Sequence, residues 1–211
     1  MPKIPEGLYL ILSDPVAGYE ACAEAAVDCG VGMLQLRMKN VPRKNLIETA
    51  KRLREIVSKS ATRLIVNDDL EAAMETDADG VHLGQADGAI ESARRKWNVP
   101  EKLFGLSTHD WEQALGAGAL GADYVGVGPV FSTPTKPDAE RPLGPTETAR
   151  IVRSAPCPAF AIGGLNAGTL PELLSRGIRR FCVVGAVNAS PTPRVAILEL
   201  QNLLLRKANV R

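Results

Sequence analysis

Two polar segments at the ends of predicted strands carry residue types that bind a diphosphate and a metal ion. The first is Gln35-Leu36-Arg37-Met38-Lys39, and the second is Asn67-Asp68-Asp69. Along an extended segment Gln35, Arg37 and Lys39 point to the same side, so the guanidinium and the ammonium could hold one anion together. Considered alone, this segment could equally be a solvent-exposed loop that carries charged residues. Together, the basic and acidic segments indicate a metal-assisted pyrophosphate site.

Asp68 and Asp87 follow neighbouring predicted strands and are the candidate ligands of a hard cation such as Mg²⁺. Magnesium prefers oxygen ligands and commonly joins one or two carboxylates to the phosphates of a substrate. The alternative use of an aspartate here is as the N-cap of the helix predicted to begin at Leu70, since aspartate is favoured at that position. We assign Asp69 to the N-cap and Asp68 to the metal.

Two glycine-containing turns follow the last two predicted strands and could hold a phosphate. They are Gly163-Gly164 and Val184-Gly185-Ala186. Glycine lets the backbone approach an anion closely, and free N–H groups at the start of a following helix point at it. Ordinary strand-to-helix turns also use glycine, but two such turns on adjacent strands favour a phosphate site.

A long proline-rich segment from Pro129 to Pro145 is predicted to be a loop after the sixth strand and a candidate lid. Within it, Thr133 and Thr135 offer hydroxyl groups to a ligand, and the Lys136 ammonium could neutralise a leaving pyrophosphate. A charged loop tip without function is the alternative, because surface loops are commonly polar.

The two histidines give weaker indications. His82 continues a strand and is predicted to be a structural histidine, whereas His109 could either cap the following helix or face the site. The chain contains neither a GxSxG sequence nor a GxxxxGK[ST] loop, which argues against a hydrolase triad and a nucleotide kinase. The sequence therefore indicates a phosphate and metal site without an obvious protein nucleophile.

Such residues need a scaffold that brings many strand ends together, and the alternation of short apolar runs with segments of helical periodicity predicts one. The predicted strands are Leu8–Leu12, Met33–Leu36, Arg63–Val66, Gly80–Leu83, Leu103–Leu106, Tyr124–Val127, Ala159–Ile162 and Phe181–Val184. The predicted helices are Ala21–Asp28, Arg43–Ser58, Leu70–Glu75, Ala89–Trp97, Trp111–Ala117, Pro145–Arg153, Leu170–Ser175 and Arg194–Leu205.

This order of elements is typical of an α/β protein with a single (β/α)8 TIM barrel, and 211 residues suit one domain spanning residues 1–211. In such a barrel the active site lies at the carboxyl ends of the strands, where the polar residues follow the apolar runs. A doubly wound open sheet is the alternative. It is less favoured because no clear GxGxxG follows the first strand.

The balance of charges argues against a general attraction to nucleic acids or anionic membranes. The chain has 25 Lys and Arg residues against 24 Asp and Glu residues, and 4% of it is aromatic. No apolar run approaches the roughly 18 to 20 residues that span a membrane, and the N-terminus lacks a signal-peptide pattern. We expect a cytoplasmic enzyme that acts on small phosphorylated molecules. The four cysteines lack CxxC spacing and are predicted to be buried free thiols.

Several motifs in order resemble those of the thiamine phosphate synthase family over nearly the whole chain. They are QLRMK (35–39), VNDD (66–69), DGVHLGQ (79–85), GLSTH (105–109), GADYVGVGPVFSTPTK (121–136) and AIGGL (161–165). The resemblance implies a (β/α)8 transferase that uses Mg²⁺ to join 4-amino-5-hydroxymethyl-2-methylpyrimidine diphosphate to 4-methyl-5-(2-hydroxyethyl)thiazole phosphate. It also implies a dissociative mechanism, in which pyrophosphate leaves first and the thiazole nitrogen attacks a pyrimidine carbocation.

The same resemblance implies a role for each matching residue. The pyrimidine diphosphate would be held by Gln35, Arg37, Lys39, Asn67, Ser107 and Lys136, of which Arg37, Ser107 and Lys136 are the candidate catalytic residues. The metal would be bound by Asp68 and Asp87. The thiazole phosphate would be held by Thr133, Thr135, Gly164, Val184 and Gly185.

The chain departs from the family pattern at two positions. Gly185 stands where the family commonly has a serine, so one side-chain contact to the thiazole phosphate is missing. Ala86 stands where an acidic residue is frequent, but Asp87 remains, and we expect the metal site to be kept.

Two other functions could use the same barrel. One is that of a thiazole tautomerase, an isomerase that needs no diphosphate and metal site, and the other is that of a non-catalytic barrel that binds a phosphorylated ligand. The diphosphate and metal residues argue against the tautomerase, and they are Arg37, Lys39, Asp68, Asp87 and Lys136.

Overall fold

The computed structural model describes residues 3–133 and 140–208, and within them eight parallel strands form a closed barrel. The strands are β1 (Gly7–Leu12), β2 (Met33–Leu36), β3 (Arg63–Asn67), β4 (Gly80–Leu83), β5 (Leu103–Thr108), β6 (Tyr124–Val127), β7 (Ala159–Ala161) and β8 (Arg180–Val183). Each strand pairs with the next along the chain, and β8 pairs with β1 to close the sheet. The predicted (β/α)8 TIM barrel is confirmed, and the doubly wound open sheet is wrong.

Helices surround the barrel, and all eight predicted helices are present with small shifts of their ends. They are α1 (Tyr19–Asp28), α2 (Arg43–Val57), α3 (Leu70–Glu75), α4 (Ile90–Lys96), α5 (Trp111–Gly116), α6 (Gly144–Ser154), α7 (Leu170–Ser175) and α9 (Pro193–Ala208). A further short helix, α8 (Gly185–Asn188), directly follows β8. It was not predicted, because a single turn is too short to show a helical period.

The strands are apolar on both faces because both faces are buried. Side chains that point inward, such as Tyr9, Met33 and Tyr124, fill the interior of the barrel. Their neighbours in sequence, such as Leu10 and Leu34, point outward and pack beneath the helices. The continuous apolar runs of the sequence therefore build two separate cores.

Three aromatic rings form the centre of the interior core. Tyr9, Tyr124 and Phe160 meet edge to face, with ring centroids 5.3 to 5.8 Å apart. Gly105 makes room for this group, because a Cβ at position 105 would lie 2.5 Å from the Tyr124 hydroxyl oxygen and closer still to the Tyr124 ring and to His82. The position therefore requires glycine for space.

Two aspartates at the amino ends of strands each join a neighbouring strand to an arginine on a helix. Asp79, just before β4, accepts hydrogen bonds from the backbone N–H of Leu64 (2.8 Å) and from Arg54 (3.4 Å). Asp123, just before β6, accepts from a backbone N–H of β5 (2.8 Å) and from Arg94 (2.6 Å). The two sites share the sequence Ala-Asp-X-Val and lie at the end of the barrel opposite to the carboxyl ends of the strands.

The four cysteines are free, and the predicted burial is complete for Cys22 and Cys182, whereas Cys29 and Cys157 are half-buried. Among the residues that the model describes, no helix combines the length and the apolar character needed to cross a membrane.

Candidate active site

The carboxyl ends of the strands bring together the polar residues predicted to bind a diphosphate and a metal. All parallel strands of a closed barrel end on the same face, so residues far apart in sequence meet at one rim. The predicted residues placed at this rim, at or just beyond the ends of β2 to β5, are Arg37, Lys39, Asn67, Asp68, Asp87 and Ser107.

Asp68 lies between a basic and an acidic side chain. Lys39 Nζ donates a hydrogen bond to Asp68 Oδ2, and the Asp87 carboxyl group lies close enough to act on Asp68 electrostatically. Burial raises the pKa of Asp68 above its usual value; the bond from Lys39 opposes this shift, and Asp87 adds to it. Two adjacent carboxylates with a single ammonium form a site that a divalent cation would stabilise.

The backbone at Asp68 adopts the left-handed conformation, with φ of 64°. Its N–H donates to the carbonyl oxygen of His82 at the end of β4 (2.8 Å), which holds the turn in place. Asp87 is fixed by a hydrogen bond from the backbone N–H of Gly84 to its Oδ2 (2.7 Å). Both carboxylates are therefore positioned by the turns that end β3 and β4.

Asp69 has a different role from its neighbour Asp68. Its Oδ1 accepts a hydrogen bond from the backbone N–H of Ala72 (2.8 Å) as the N-cap of α3, and its Oδ2 pairs with Arg43 Nε (2.7 Å). The prediction that Asp69 caps the helix is confirmed. Asp68 is thus left to face the rim.

Arg37 is held from the side by residues that were not predicted to belong to the site. Its Nη1 donates to Ser13 Oγ (3.1 Å), and the backbone N–H of Ser13 donates to Asn188 Oδ1 (3.0 Å). The buried Asn188 amide in turn donates to the carbonyl oxygens of Ile11 and Val184, each at 2.7 Å. Asn188 therefore ties the ends of β1 and β8 together and places the serine that contacts Arg37. Nothing in the sequence pattern marked it, because it lies in the unpredicted helix α8.

Gln35 and Ser107 are the two ends of a hydrogen-bond chain that crosses the barrel interior. Gln35 Nε2 donates to the Tyr9 hydroxyl (2.7 Å), which lies 2.9 Å from the Tyr124 hydroxyl. The Tyr124 hydroxyl lies 3.3 Å from His82 Nδ1, and His82 Nε2 lies 3.0 Å from Ser107 Oγ. Gln35 is only 2% exposed. It therefore sits deeper than Arg37 and Lys39, which follow the end of β2 and contact other partners.

Burial keeps the middle members of this chain uncharged. It lowers the pKa of His82 to about 4, and it raises the pKa values of Tyr9 and Tyr124 above the usual phenol value. Both ring nitrogens of His82 have partners, which confirms the prediction of a satisfied structural histidine. The role of the two tyrosines was not predicted, because their positions in apolar strands indicated only core residues.

The two glycine turns lie beside each other at the ends of β7 and β8, as predicted. Gly163 and Gly164 have φ values of 105° and 67°. A Cβ at position 164 would lie 2.7 Å from the Cβ of Phe131. The segment after β6 can therefore pass this close to position 164 only because that residue is glycine. Helix α8 begins at Gly185, after Val184 as its N-cap, and the first N–H groups of a helix have no partner within it.

The loop after β6 is described up to Thr133 and again from residue 140. Thr135 and Lys136 lie outside the described residues, so the roles assigned to them stay predictions.

His109 is tied to the start of the same loop. Its Nδ1 donates to the carbonyl oxygen of Gly128 (2.8 Å), and its backbone N–H donates to Gln113 Oε1 (2.9 Å). Helix α5 is capped by Asp110, whose Oδ1 accepts from the backbone N–H of Gln113 (2.8 Å). The alternative in which His109 caps the helix is therefore wrong.

Residues 8–187 match the model of a protein family described as thiamine monophosphate synthase. The chain is 39% identical over 186 residues to a thiamine-phosphate synthase of Chloroflexus aurantiacus, a match that covers 88% of this chain and 85% of the relative. It is 42% identical over 173 residues to a thiamine-phosphate synthase of Synechococcus sp. strain CC9311, covering 82% of this chain and 48% of the relative, so it spans about half the length of that protein. The solved structure of a thiamine phosphate pyrophosphorylase from Pyrococcus furiosus is similar with a TM-score of 0.85 and 32% identity, covering 95% of this chain and 96% of that one.

Proposed function

Since the chain belongs to the thiamine monophosphate synthase family, we propose that it joins 4-amino-5-hydroxymethyl-2-methylpyrimidine diphosphate to 4-methyl-5-(2-hydroxyethyl)thiazole phosphate. The products are thiamine phosphate and pyrophosphate. The match to the family over residues 8–187 is the observation that carries this proposal. The basic and acidic side chains gathered at one rim of the barrel support it from the chemistry of the site. We also propose that residues 1–211 form one domain that works in the cytoplasm, as the sequence predicts.

Asp68 and Asp87 would hold a magnesium ion. The two carboxyl groups lie just beyond the ends of β3 and β4, and the pKa of Asp68 is raised by burial and by Asp87, so a cation between them would relieve a repulsion. Magnesium needs only one or two protein carboxylates when substrate phosphates and water complete its coordination. When bound, the ion would neutralise negative charge on the diphosphate as it leaves.

The basic residues of the rim would hold the diphosphate group. Arg37 offers a planar pair of donors to phosphate oxygens, and its contact with Ser13 orients the guanidinium. Lys39 is paired with Asp68, and its flexible ammonium could move to the diphosphate when a second cation takes its place. Asn67, at the end of β3, would add an amide donor. Lys136, which lies outside the described residues, would add a further cation to this group.

We propose a dissociative reaction in which the protein supplies position and charge. The bond between the pyrimidine methylene carbon and the diphosphate oxygen breaks, and both electrons leave with pyrophosphate. The thiazole nitrogen then donates its lone pair to the carbocation and forms the new C–N bond. Neither step needs a nucleophile from the protein; both need stabilised leaving-group charge and two aligned substrates. Arg37, Ser107 and Lys136 would be the catalytic residues.

The thiazole phosphate would bind at the glycine turns of β7 and β8. Gly164, Val184 and Gly185 would present backbone N–H groups, and Thr133 and Thr135 would add hydroxyl groups. Gly185 has no side-chain hydroxyl, but its N–H is unaffected by that difference. The phosphate would therefore be held mainly by the backbone on this side.

The test is to measure thiamine phosphate and pyrophosphate formation by the purified protein, with and without added Mg²⁺. Asp68→Asn removes a charge from the metal pair with almost no change of shape, and Asp69→Asn makes the same change at the N-cap next to it. We expect Asp68→Asn to lose at least about 100-fold in kcat/KM, the loss of a few kcal/mol of transition-state stabilisation, and Asp69→Asn to stay near the wild type. Absence of product at saturating substrates and Mg²⁺ would refute the function. Equal activity of the two variants would refute the metal assignment.

A further inference from the structure

We propose that Tyr9, Tyr124 and His82 are positioning residues that fix which end of the site accepts a hydrogen bond and which end donates one. They connect Gln35 to Ser107 through the interior of the barrel. As a result, the side-chain amide oxygen of Gln35 (Oε1) is available as an acceptor, and the Ser107 hydroxyl is available as a donor. The inference rests on the proposed function, because it states which hydrogen-bonding groups of the pyrimidine ring this acceptor and donor would recognise.

The direction of the chain follows from the donors and acceptors that its members possess. An amide nitrogen can only donate, so the Tyr9 oxygen accepts from Gln35. Tyr9 then uses its one hydrogen toward Tyr124, and Tyr124 uses its own toward Nδ1 of His82. A neutral imidazole that accepts at Nδ1 carries its proton on Nε2, which donates to Ser107 Oγ.

The opposite direction is disfavoured in the same interior. If His82 Nδ1 donated to Tyr124, and Tyr124 to Tyr9, the Tyr9 oxygen would accept twice and its own hydrogen would have no acceptor within this chain. Tyr9 is 1% exposed, so water cannot supply the missing partner. An unsatisfied buried donor is unfavourable, and the chain therefore has one preferred polarity.

Both ends of the chain remain available to a ligand. Among the described residues no donor contacts Gln35 Oε1, and this oxygen is not one of the fully buried polar atoms that lack a partner. Ser107 is half-buried at the rim and accepts from His82, so its hydroxyl hydrogen is free to be donated. One acceptor on β2 and one donor on β5 therefore remain for a ligand.

A 4-aminopyrimidine carries the complementary pattern. Its exocyclic amine donates a hydrogen bond, and the adjacent ring nitrogen accepts one. The corresponding 4-oxopyrimidine has nearly the same shape and the reverse pattern, because its oxygen accepts and its ring N–H donates. A site with fixed polarity should reject the 4-oxo compound, whereas a site whose polar groups can turn should tolerate it better.

The experiment compares kcat/KM for the 4-amino substrate and for its 4-oxo analogue, each as the diphosphate. We expect the wild type to prefer the amino compound by about 100-fold or more. Tyr124→Phe interrupts the chain in the middle, and Tyr9→Phe frees the Gln35 end; each should reduce the preference by about tenfold. His82→Gln should keep most of the preference, since a glutamine can accept from Tyr124 and donate to Ser107.

Tyr19→Phe is the matched control, because the Tyr19 hydroxyl donates to Asp14 outside the barrel interior (3.0 Å). The preference of this variant for the amino substrate should equal that of the wild type. The ratio of the two substrates is measured on one preparation, so a smaller folded fraction does not change it. If Tyr124→Phe fails to fold, Tyr9→Phe decides alone. If Tyr124→Phe and Tyr9→Phe both keep the preference of the wild type, the inference is overturned. Turnover of the amino substrate would still support the proposed function in that case. No turnover of that substrate by the wild type would instead refute the function.

Discussion

Replacing Gly105 with alanine tests the packing on which the interior chain depends. The new Cβ would lie 2.5 Å from the Tyr124 hydroxyl oxygen, about 1 Å inside ordinary van der Waals contact. The Tyr124 ring cannot move away freely, because it is fully buried against Tyr9 and Phe160. Overpacking of this kind costs about 1–3 kcal/mol, and loss of the Tyr124–His82 hydrogen bond costs about 1 kcal/mol more. We therefore expect the free energy of unfolding to fall by about 2–4 kcal/mol.

Urea unfolding of the wild type and the variant measures this loss, which at a slope of about 2 kcal/mol/M is a shift of the midpoint by about 1–2 M. Gly116→Ala is the control, because Gly116 lies in α5 and a Cβ there meets no atom within 4 Å. That change should be neutral or stabilise the protein by up to about 1 kcal/mol through helix propensity. If the free energy of unfolding of Gly105→Ala lies within about 0.5 kcal/mol of the wild-type value, the interior can accommodate the extra Cβ, and the prediction of tight packing is wrong.

Two further predictions concern buried titratable groups. Asp123→Asn should lower the free energy of unfolding by about 2–4 kcal/mol, because the Asp123 side chain is 8% exposed and pairs with Arg94. Asp77→Asn should cost less than about 1 kcal/mol, because the Asp77 side chain in its ion pair with Lys102 is 75% exposed. Urea unfolding of both variants measures the difference, and equal losses would contradict the prediction. The folded-state pKa of His82, about 4, lies below its usual 6.5, so the unfolded chain takes up the proton first and stability is lost as pH falls from 6.5 toward 4. This loss reaches about 3 kcal/mol and should be absent from His82→Gln, as unfolding at about pH 7 and pH 4.5 would reveal.

The barrel could be predicted because its information is local. Each strand is a short apolar run, and each run is followed by helical periodicity, so the order of elements needs no knowledge of distant contacts. The same holds for Asp69, whose role as an N-cap depends only on the helix that follows it. Residues at the strand ends, such as Arg37 and Asp68, could be placed at one rim because the fold places all strand ends there.

The interior chain could not be predicted because its members are far apart in sequence. Tyr9 and Tyr124 are separated by 115 positions, and each reads locally as an apolar strand residue. Asn188 was missed for a related reason, since its partners on β1 and in the turn after β1 lie 177 and 175 positions away, and its own helix has a single turn. Sequence patterns report which face a side chain occupies, but not which distant polar group it meets there.

The Ala-Asp-X-Val sites that precede β4 and β6 have a practical consequence for protein engineering. Asp79 and Asp123 tie strands to helices at the amino ends of the strands, opposite to the rim that carries the candidate site. Substitutions around them can raise or lower tolerance to heat while the mouth of the barrel keeps its shape. A designer who wants a more stable enzyme can therefore substitute residues at that end first and leave the residues of the candidate site unchanged.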